Sequence, residues 1–385
     1  MTDITDFEDI RPYNDTEVRT VLDRLVEDPE LHNVIVLMKF PRLNKWFGGI
    51  LRFFVRRALR RTMGGINTVS QLQNKISKQL EGLLRRVCAE VTVSGLEQLD
   101  ASKSYLFISN HRDIAMDPAM VDLALHRSGR DTVRIAIGDN LLSKPFTSDL
   151  MRINKSFIVR RSVAGRREKL AALLQLSSYI RHSLINENSS IWIAQQEGRA
   201  KNGKDKTDKA LIKMLTLSKQ KSETFSDAIA DLNLVPVAIS YELDPCDNDK
   251  ARELHAIRSE GVYRKQEHED LLSIYRGLVG EKGHVHVAFG TPITGLDSAD
   301  SVATEVDRQI FDIYRLHPTN IIAYQQLYGS NNTVDQWKAG IQCKNWQAIE
   351  DRFNDRMANI DSAYRDLAIA SYANPVCSRL DSLGK

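Results

Sequence analysis

The feature that most constrains the fold is an alternation of short apolar runs with longer segments of helical periodicity between residues 88 and 316. Each apolar run has the length of a buried β-strand, and the intervening segments are long enough to form helices. Chains that alternate strands and helices in this way form sheets covered by helices. The sequence therefore predicts an α/β fold with a mostly parallel or mixed sheet. The predicted strands are 89–94, 104–109, 132–137, 156–160, 189–194, 234–240 and 283–289.

The segments on either side of this α/β region are predicted to be helical. They divide the chain into an N-terminal helical region at 1–87, the α/β domain at 88–316 and a C-terminal helical extension at 317–385. Residues 245–270 are charged and begin with Pro, Asp and Asn, which indicates an excursion or lid. The clearest predicted helices are 17–27, 118–127, 165–185, 208–219, 299–315, 333–343 and 345–372.

The composition is typical of a globular intracellular enzyme. The chain has 385 residues, of which 42% are hydrophobic and 27% charged, so it can bury a large core. The segment Met1–Ile10 is acidic and lacks the basic and apolar regions of a signal peptide. The cysteines lack the spacing of a metal or redox site, and we expect free thiols in a reducing compartment. They are Cys88, Cys246, Cys343 and Cys377.

The segment Asn110–Pro118 carries the strongest chemical signal. His111 follows the apolar run Tyr105–Ser109, and Asp113 and Asp117 come two and six residues later. An imidazole titrates near neutrality and can accept a proton from an alcohol, while a nearby carboxylate can hold the ring in the required tautomer. No Ser or Cys lies in a nucleophile elbow nearby. The pattern therefore favours a histidine that acts directly on a substrate hydroxyl.

A purely structural interpretation of the same segment is also open. Asp117 followed by Pro118 is a favourable helix start, with Asp as the N-cap and Pro at the first helical position. His111 would then be a loop histidine bonded to the backbone.

Further segments follow the histidine in a definite order. Phe157–Ser162 is an apolar run ending in two arginines, Glu197–Lys204 is rich in glycine and basic residues, and Leu234–Ser240 is an apolar run with a central proline. Ala288–Ile293 resembles a closing strand. In this order, these segments and the histidine motif resemble the glycerolipid acyltransferase family, which includes glycerol-3-phosphate and 1-acylglycerol-3-phosphate acyltransferases. The resemblance covers roughly residues 85–295.

The chain departs from the family pattern at two places. The family spacing would put the motif aspartate at position 116, which is Met116 here, and Asp117 lies one residue later. The family threonine is also absent from the Glu197–Arg199 block. By its context Asp117 is the expected partner of His111, and Asp113 is the fallback.

The resemblance implies an O-acyltransferase of phospholipid synthesis. His111 would deprotonate a glycerol hydroxyl, which then attacks an acyl thioester carried by coenzyme A or by acyl carrier protein, without a covalent acyl-enzyme. Arg160 or Arg161, together with Arg199, would hold the acceptor phosphate, because guanidinium forks suit phosphate oxygens. No cofactor or metal is implied. The further substrate-binding residues expected from the blocks are Asn110, Glu197, Gly198, Lys201 and Lys204.

The acceptor remains open between two members of the family. The Phe157–Ser162 block is closer to glycerol-3-phosphate enzymes, whereas the chain length and Asn110 are closer to enzymes using 1-acyl-sn-glycerol-3-phosphate, which is narrowly preferred. A non-catalytic lipid-binding scaffold is the alternative of another class. His284 and His286 share a strand face, and an ordinary strand face is preferred over a metal pair there.

A basic segment precedes the α/β region. Residues 39–86 contain twelve Lys or Arg and one acid, Glu81, a local net charge of +11. On a helical wheel of 46–61, the arginines fall in one half, and Trp46, Ile50 and Phe53 break the pattern. The apolar half comprises Phe47, Leu51, Phe54, Val55, Ala58 and Leu59. Such helices suit an anionic membrane surface.

Membrane contact is one of three interpretations of this segment. Amphipathic helices more often pack on their own protein's core, and a basic stretch can also bind nucleic acid, although the aromatic and aliphatic stripe argues against that. Because no run of 18 apolar residues occurs, no transmembrane helix is predicted. We expect a peripheral protein at the cytoplasmic face of a membrane, with no nucleic-acid partner.

Overall fold

The computed structural model describes residues 7–40, 42–142, 144–266 and 268–384. Residues 1–6 of the acidic N-terminal stretch lie outside this range. So do Pro41 in the basic segment, Glu267 in the predicted lid and Lys385 at the end of the C-terminal extension.

Seven β-strands occur in the described residues, and each coincides with a predicted strand. Their ends differ from the predicted ones by two residues at most. The strands are β1 (Cys88–Ser94), β2 (Leu106–Ser109), β3 (Arg134–Gly138), β4 (Ser156–Val159), β5 (Ile191–Ala194), β6 (Leu234–Tyr241) and β7 (Gly283–Phe289).

The described residues also form α-helices, which are connected to the strands by loops. Those up to residue 231 are α1 (Asp15–Glu27), α2 (Pro29–Lys39), α3 (Asn44–Met63), α4 (Val69–Val87), α5 (Met116–Arg127), α6 (Pro145–Ile153), α7 (Arg166–Ile185), α8 (Lys209–Leu215) and α9 (Phe225–Asp231). The later ones are α10 (Asp247–Glu260), α11 (Glu269–Val279), α12 (Ala299–Ile313), α13 (Pro318–Tyr328), α14 (Asn332–Gly340), α15 (Trp346–Ala358) and α16 (Arg365–Ser382). The predicted α/β fold class is confirmed.

The chain divides into two compact units. Unit 1 comprises Met1–Gly82 and Val133–Ile180, and unit 2 comprises Leu83–Thr132 and Arg181–Lys385. These units do not follow the three segments proposed from the sequence, whose boundaries stay a prediction.

The strands of unit 2 form a mixed sheet in the order β1-β7-β6-β2-β5. Strand β2 runs parallel to both β5 and β6, and Ser109 lies opposite Ala194 and Val237. Strand β7 is antiparallel to β6 and parallel to β1. Strands β2 and β6 are buried along their whole length, as expected for uninterrupted apolar runs. The carboxyl ends of β2, β5 and β6 therefore meet at one edge.

Unit 1 combines helices with the parallel pair β3–β4. Helix α1 starts with a capping box between Asn14 and Glu17, and Asp28 caps α2 ahead of Pro29. These start signals fix where the apolar faces begin. One buried apolar cluster of this unit comprises Val18, Val21, Leu22, Leu25, Leu31, Ile66, Leu72, Phe146 and Ile153.

The basic helix α3 differs from the other helices of unit 1, because none of its residues is buried. Leu59 packs against the unit 1 core, and Leu51 and Val55 are half-buried. The residues that break the wheel pattern are exposed, with Trp46 83% exposed. Some residues of the predicted apolar half are therefore half-buried, and others are exposed. The exposed large apolar residues of α3 are Trp46, Phe47, Ile50, Phe53 and Phe54.

Residues 245–270, predicted to form an excursion or lid, contain α10 and the start of α11, and acidic residues in the first turn of each favour these helix starts. A role of this segment as a lid stays a prediction. Two predicted helices differ from the structure. The predicted helix 345–372 is two helices, separated by residues 359–364. The helix predicted at 208–219 already ends at Leu215. Over the described residues, no helix combines the length and apolar character that a membrane crossing requires.

Candidate active site

The histidine and glutamate motifs of unit 2 lie at the same edge of its sheet. His111 is in the loop between β2 and α5, and Glu197 is in the loop that follows β5. Because β2 and β5 are adjacent and parallel, both loops leave the sheet at its carboxyl edge, where open α/β sheets bind ligands. The backbone N–H of Ala200 donates to the carbonyl oxygen of His111 over 2.8 Å, which joins the two loops.

His111 and Asp117 form a hydrogen-bonded pair. The distance from Nδ1 of His111 to Oδ2 of Asp117 is 2.8 Å. An ionised carboxylate only accepts hydrogen bonds, so Nδ1 carries the proton and Nε2 has the free lone pair. Among the described residues, no group bonds Nε2. The His111 side chain is 13% exposed and packs edge-on against Trp192. The ring can therefore accept a proton at Nε2 while its orientation is held.

The Asp117 carboxylate is completely buried and accepts several hydrogen bonds. Oδ2 accepts from the backbone N–H groups of Arg112 (2.5 Å) and Asp113 (2.9 Å), and Oδ1 accepts from the Tyr241 hydroxyl (2.8 Å). Burial and the charge of Asp117 raise the pKa of Tyr241 well above its ordinary value, so this hydroxyl stays a donor. These bonds fix the carboxylate in front of His111.

This geometry distinguishes between the interpretations left open by the sequence. Helix α5 starts at Met116, with Ala115 as its N-cap, so Asp117 is not the capping residue and the helix-cap interpretation is wrong. The other candidate, Asp113, instead accepts from the backbone N–H groups of Ala115 and Met116. Burial, reinforced by the charge of Asp117, raises the pKa of Asp113. Asp117 is thus the carboxylate that bonds His111.

Asn110 has a role that the sequence did not indicate. Its side chain is fully buried, with Nδ2 donating to the Ile239 carbonyl over 3.0 Å and Oδ1 accepting from the Ile239 N–H over 2.8 Å. The amide thus pairs with strand β6 as another strand would and anchors the histidine loop. Substrate binding by Asn110 stays a prediction.

The loop that follows β5 and carries Glu197, here called the glutamate loop, has two glycines with a positive φ. Glu197 and Gly198 are exposed, and Gly198 has a φ of +75°, with open space where a side chain would be. Gly203 also has a positive φ, and a Cβ there would collide with the carbonyl oxygen of Ser371 on α16. Gly203 is therefore required for packing within the protein, whereas the conformation of Gly198 leaves backbone accessible to a ligand.

The basic residues of this loop differ in their partners. Arg199 is half-buried, and its Nη1 donates to the Ser273 hydroxyl of α11 over 2.7 Å. Lys201 forms an ion pair with Glu253 of α10, whereas the side chain of Lys204 is exposed. Among the described residues, Lys201 is the one of these three basic residues that forms an ion pair with a carboxylate of the protein.

A buried ionic cluster supports both loops. The guanidinium of Arg112 donates to the Ala200 and Gly203 carbonyl oxygens and to the Asp205 carboxylate, 2.6 Å away. Lys250 of α10, also buried, donates to the Arg112 carbonyl oxygen and pairs with Asp244. Burial of Asp244 disfavours its charged form, but Lys250 outweighs burial and keeps its pKa below the ordinary value. The cluster joins the two motif loops to α10.

Part of the chain is similar in sequence to known acyltransferases. Residues 90–240 match the family model described as Acyltransferase. A dihydroxyacetone phosphate acyltransferase of Bos taurus is 26% identical over 234 residues, which are 60% of this chain and 32% of that protein. A human protein of the same name is 25% identical over 57% of this chain and 31% of its own length. The matches thus span about a third of these relatives.

The match to the Acyltransferase family model is confined to residues 90–240. A crystal structure of the 1-acyl-sn-glycerophosphate acyltransferase of Thermotoga maritima is similar over 77% of this chain and 96% of its own, with 12% identity and a TM-score of 0.38.

Arg160 and Arg161 belong to unit 1. Strand β4 ends at Val159, so both arginines lie in the loop that follows it. The Arg160 guanidinium pairs with the carboxylate of Asp9, and Arg161 lies against Gly138. Their binding of an acceptor phosphate stays a prediction.

The two strand histidines of unit 2 contact other side chains. His284 Nδ1 lies 2.5 Å from a carboxylate oxygen of Glu242, and His286 bonds Thr92 and Ser94. The described part of the chain contains no group of three or more His, Cys, Asp or Glu side chains that could hold a metal ion.

Sequence reasoning missed Tyr241, Lys250 and Ser273. Tyr241 ends an apolar strand and Lys250 lies in a segment that looked like a surface excursion, so neither had a local signal. All three lie outside residues 90–240, and the packing of α10 and α11 brings Lys250 and Ser273 to the motif loops.

Proposed function

We propose that this protein is an O-acyltransferase that moves an acyl group from a thioester to the hydroxyl of a phosphorylated three-carbon acceptor. The observation that carries the proposal is the His111–Asp117 pair, with Nε2 available at the carboxyl edge of the sheet. The acyltransferase-family match over residues 90–240 supports the reaction class.

The reaction follows from the protonation states. Nε2 of His111 accepts the hydroxyl proton as the acceptor oxygen attacks the thioester carbonyl carbon, and Asp117 stabilises the imidazolium that forms. Collapse of the tetrahedral intermediate breaks the C–S bond, and the imidazolium returns the proton to the departing thiolate. The products are an ester and a free thiol. The acyl group comes from acyl-CoA or acyl carrier protein, and the protein itself is never acylated.

The acceptor must offer a hydroxyl to His111 and a phosphate to arginine. Arg199 lies in the loop bonded to the His111 carbonyl, which supports it as a phosphate ligand. The motif pattern favours 1-acyl-sn-glycerol-3-phosphate, glycerol-3-phosphate is the alternative, and the curated relatives are named for dihydroxyacetone phosphate. All three carry a phosphate monoester and a free hydroxyl.

The test is acyl transfer by purified wild-type and His111→Ala protein, with a labelled acyl thioester and the three acceptors in parallel. We expect turnover with wild type and a loss of about 10³-fold or more in the variant. His126→Ala, near the end of α5, is the matched control and should remain active. Equal turnover by wild type and His111→Ala would exclude the mechanism. Lipid binding by wild type without turnover would favour the non-catalytic scaffold.

We further propose that α3 docks the protein peripherally on an anionic membrane. Its support is the exposed aromatic surface of α3, together with Arg57 and Arg61, which have no ion-pair partner among the described residues. Aromatic residues beside cations suit the boundary between headgroups and acyl chains.

Vesicle sedimentation tests this docking. We expect binding to vesicles of phosphatidylglycerol and phosphatidylcholine, weaker binding to phosphatidylcholine alone, and weakening by salt. Salt-sensitive binding to duplex DNA with none to the anionic vesicles would instead identify a nucleic-acid surface.

A further inference from the structure

Helix α11 contacts both motif loops, although it lies outside the matched residues 90–240. Two small residues on this helix make the contacts, Ser273 and Gly277. Residues four apart lie on the same face of a helix, so one face of α11 meets both loops. Both residues are buried.

Gly277 brings the backbone of α11 close to the histidine loop. A Cβ atom at this position would collide with the Asp113 carboxylate. Glycine inside a helix costs about 1 kcal/mol relative to alanine. Its presence in α11 permits this close approach, since any larger residue would require Asp113 to shift. This contact fixes α11 relative to the loop that carries His111.

Ser273 brings the same helix to the phosphate-binding candidate. Its hydroxyl oxygen accepts from Nη1 of Arg199 over 2.7 Å, and the serine side chain is enclosed beside Cys246. A long arginine side chain loses rotamer freedom when it is held in one geometry, which costs free energy on binding. The hydrogen bond to Ser273 restrains Arg199 before a ligand arrives, so less of this cost falls on ligand binding. The remaining guanidinium N–H groups stay available as donors to a phosphate.

We propose that Ser273 is a positioning residue that presets the Arg199 guanidinium for the acceptor phosphate, with α11 as its rigid support. The inference rests on the proposed acyl transfer, since it assigns Arg199 to the acceptor. It adds a residue outside the family motifs to the part of the site that recognises phosphate.

The kinetic test separates acceptor from donor. In Ser273→Ala, we expect the KM for the phosphorylated acceptor to rise about 3- to 10-fold, with kcat and the KM for the acyl thioester changing less than about 2-fold. Ser273→Thr retains the hydroxyl and should restore the acceptor KM at least in part. Ser259→Ala, on the exposed surface of α10, is the matched control. Equal increases in both KM values would indicate general distortion and overturn the proposal.

A double-mutant cycle tests whether Ser273 acts through Arg199. In an Arg199→Ala background, Ser273→Ala should have no further effect on the acceptor KM. An undiminished effect in that background would contradict the proposal.

The positioning role of Ser273 can also be tested by measuring ligand binding instead of acyl transfer. Calorimetric binding of glycerol-3-phosphate to His111→Ala protein should weaken by the same factor when Ser273→Ala is added. Weakening of binding, combined with a wild-type protein that shows no acyl transfer, would uphold the phosphate site while rejecting the proposed reaction. Unchanged binding would reject the positioning role itself.

Discussion

Two groups of basic residues in this molecule differ in burial and in the use of their charge. The arginines of α3 lie on a helix without a buried residue, beside exposed aromatic side chains. Near the histidine loop, Arg112 and Lys250 are buried, and each is paired with a carboxylate. On α3, Arg56 and Arg60 pair with Glu27 at the surface, whereas Arg57 and Arg61 have no ion-pair partner among the described residues. Near the histidine loop, both cations join loops and helices in the interior.

Burial accounts for the difference. An unpaired charge in the interior is expensive, so Arg112 and Lys250 require Asp205 and Asp244 as partners, and their position is fixed by those partners. An exposed guanidinium is hydrated and screened, so a surface ion pair adds little to stability. Stability and catalysis should therefore respond to changes in the buried cluster, and surface binding to changes in α3.

Asp117→Asn should produce the largest effect on activity. An amide at this position removes the charge that stabilises the imidazolium and favours the wrong tautomer, so we expect kcat to fall by about 10³-fold or more. Asp113→Asn is the control, since Asp113 does not bond His111, and should lose much less. Steady-state kinetics on both variants measure the ranking. The reverse ranking would make Asp113 the functional partner.

Arg112→Ala should produce the largest effect on stability. It leaves the buried Asp205 carboxylate without its cation, and the free energy of unfolding should fall by about 3–5 kcal/mol. Arg57→Ala on α3 changes an exposed residue and should stay within about 0.5 kcal/mol of wild type. Urea unfolding of both variants measures this contrast. Similar losses in the two proteins would remove the distinction between the regions.

Replacing Trp46 and Phe53 by Ser should weaken binding to anionic vesicles by about 10²-fold, because each large apolar side chain contributes about 1.5–3 kcal/mol when buried. Turnover of soluble glycerol-3-phosphate should stay unchanged. Tyr328→Ser, on the exposed surface of α13, is the control for loss of an aromatic ring. If vesicle sedimentation does not distinguish the double variant from this control, α3 is not the membrane contact.

Tyr241→Phe should have the smallest effect of this series. It removes one hydrogen bond to Asp117 and leaves the bonds from Arg112 and Asp113, so kcat should fall about 2- to 10-fold with stability nearly retained. Tyr263→Phe, whose hydroxyl bonds Glu269 far along the chain from the motif, is the kinetic control. A loss as large as that of Asp117→Asn would mean that Tyr241 itself has a catalytic role.

The strands were predicted well because each is marked by an apolar run within a short stretch of sequence. Apolar runs such as Leu234–Tyr241 must be covered on both faces, which requires a sheet with helices on it. Helix ends were less predictable. The break between α15 and α16 and the true extent of α10 depend on what the helices pack against.

The candidate site was predictable only in part. The order of the motif blocks identified His111 and the Glu197 loop, but two carboxylates near His111 in sequence remained possible. The bond from Nδ1 to Asp117 distinguishes them, since residues 111 and 117 meet only when the loop closes onto the start of α5. Asn110 was expected from the sequence to bind substrate, but in the structure its side chain bonds the backbone of Ile239.

By itself, the sequence determined the α/β class, the seven strands and the histidine as the candidate base, because apolar periodicity and motif order are properties of neighbouring residues. Only the tertiary structure decided which partners surround that histidine. Tyr241, Lys250 and Ser273 are more than 100 residues away along the chain, and packing of β6, α10 and α11 brings them to the motif loops. Burial also decided which cations are fixed as partners and which stay available to a ligand or surface.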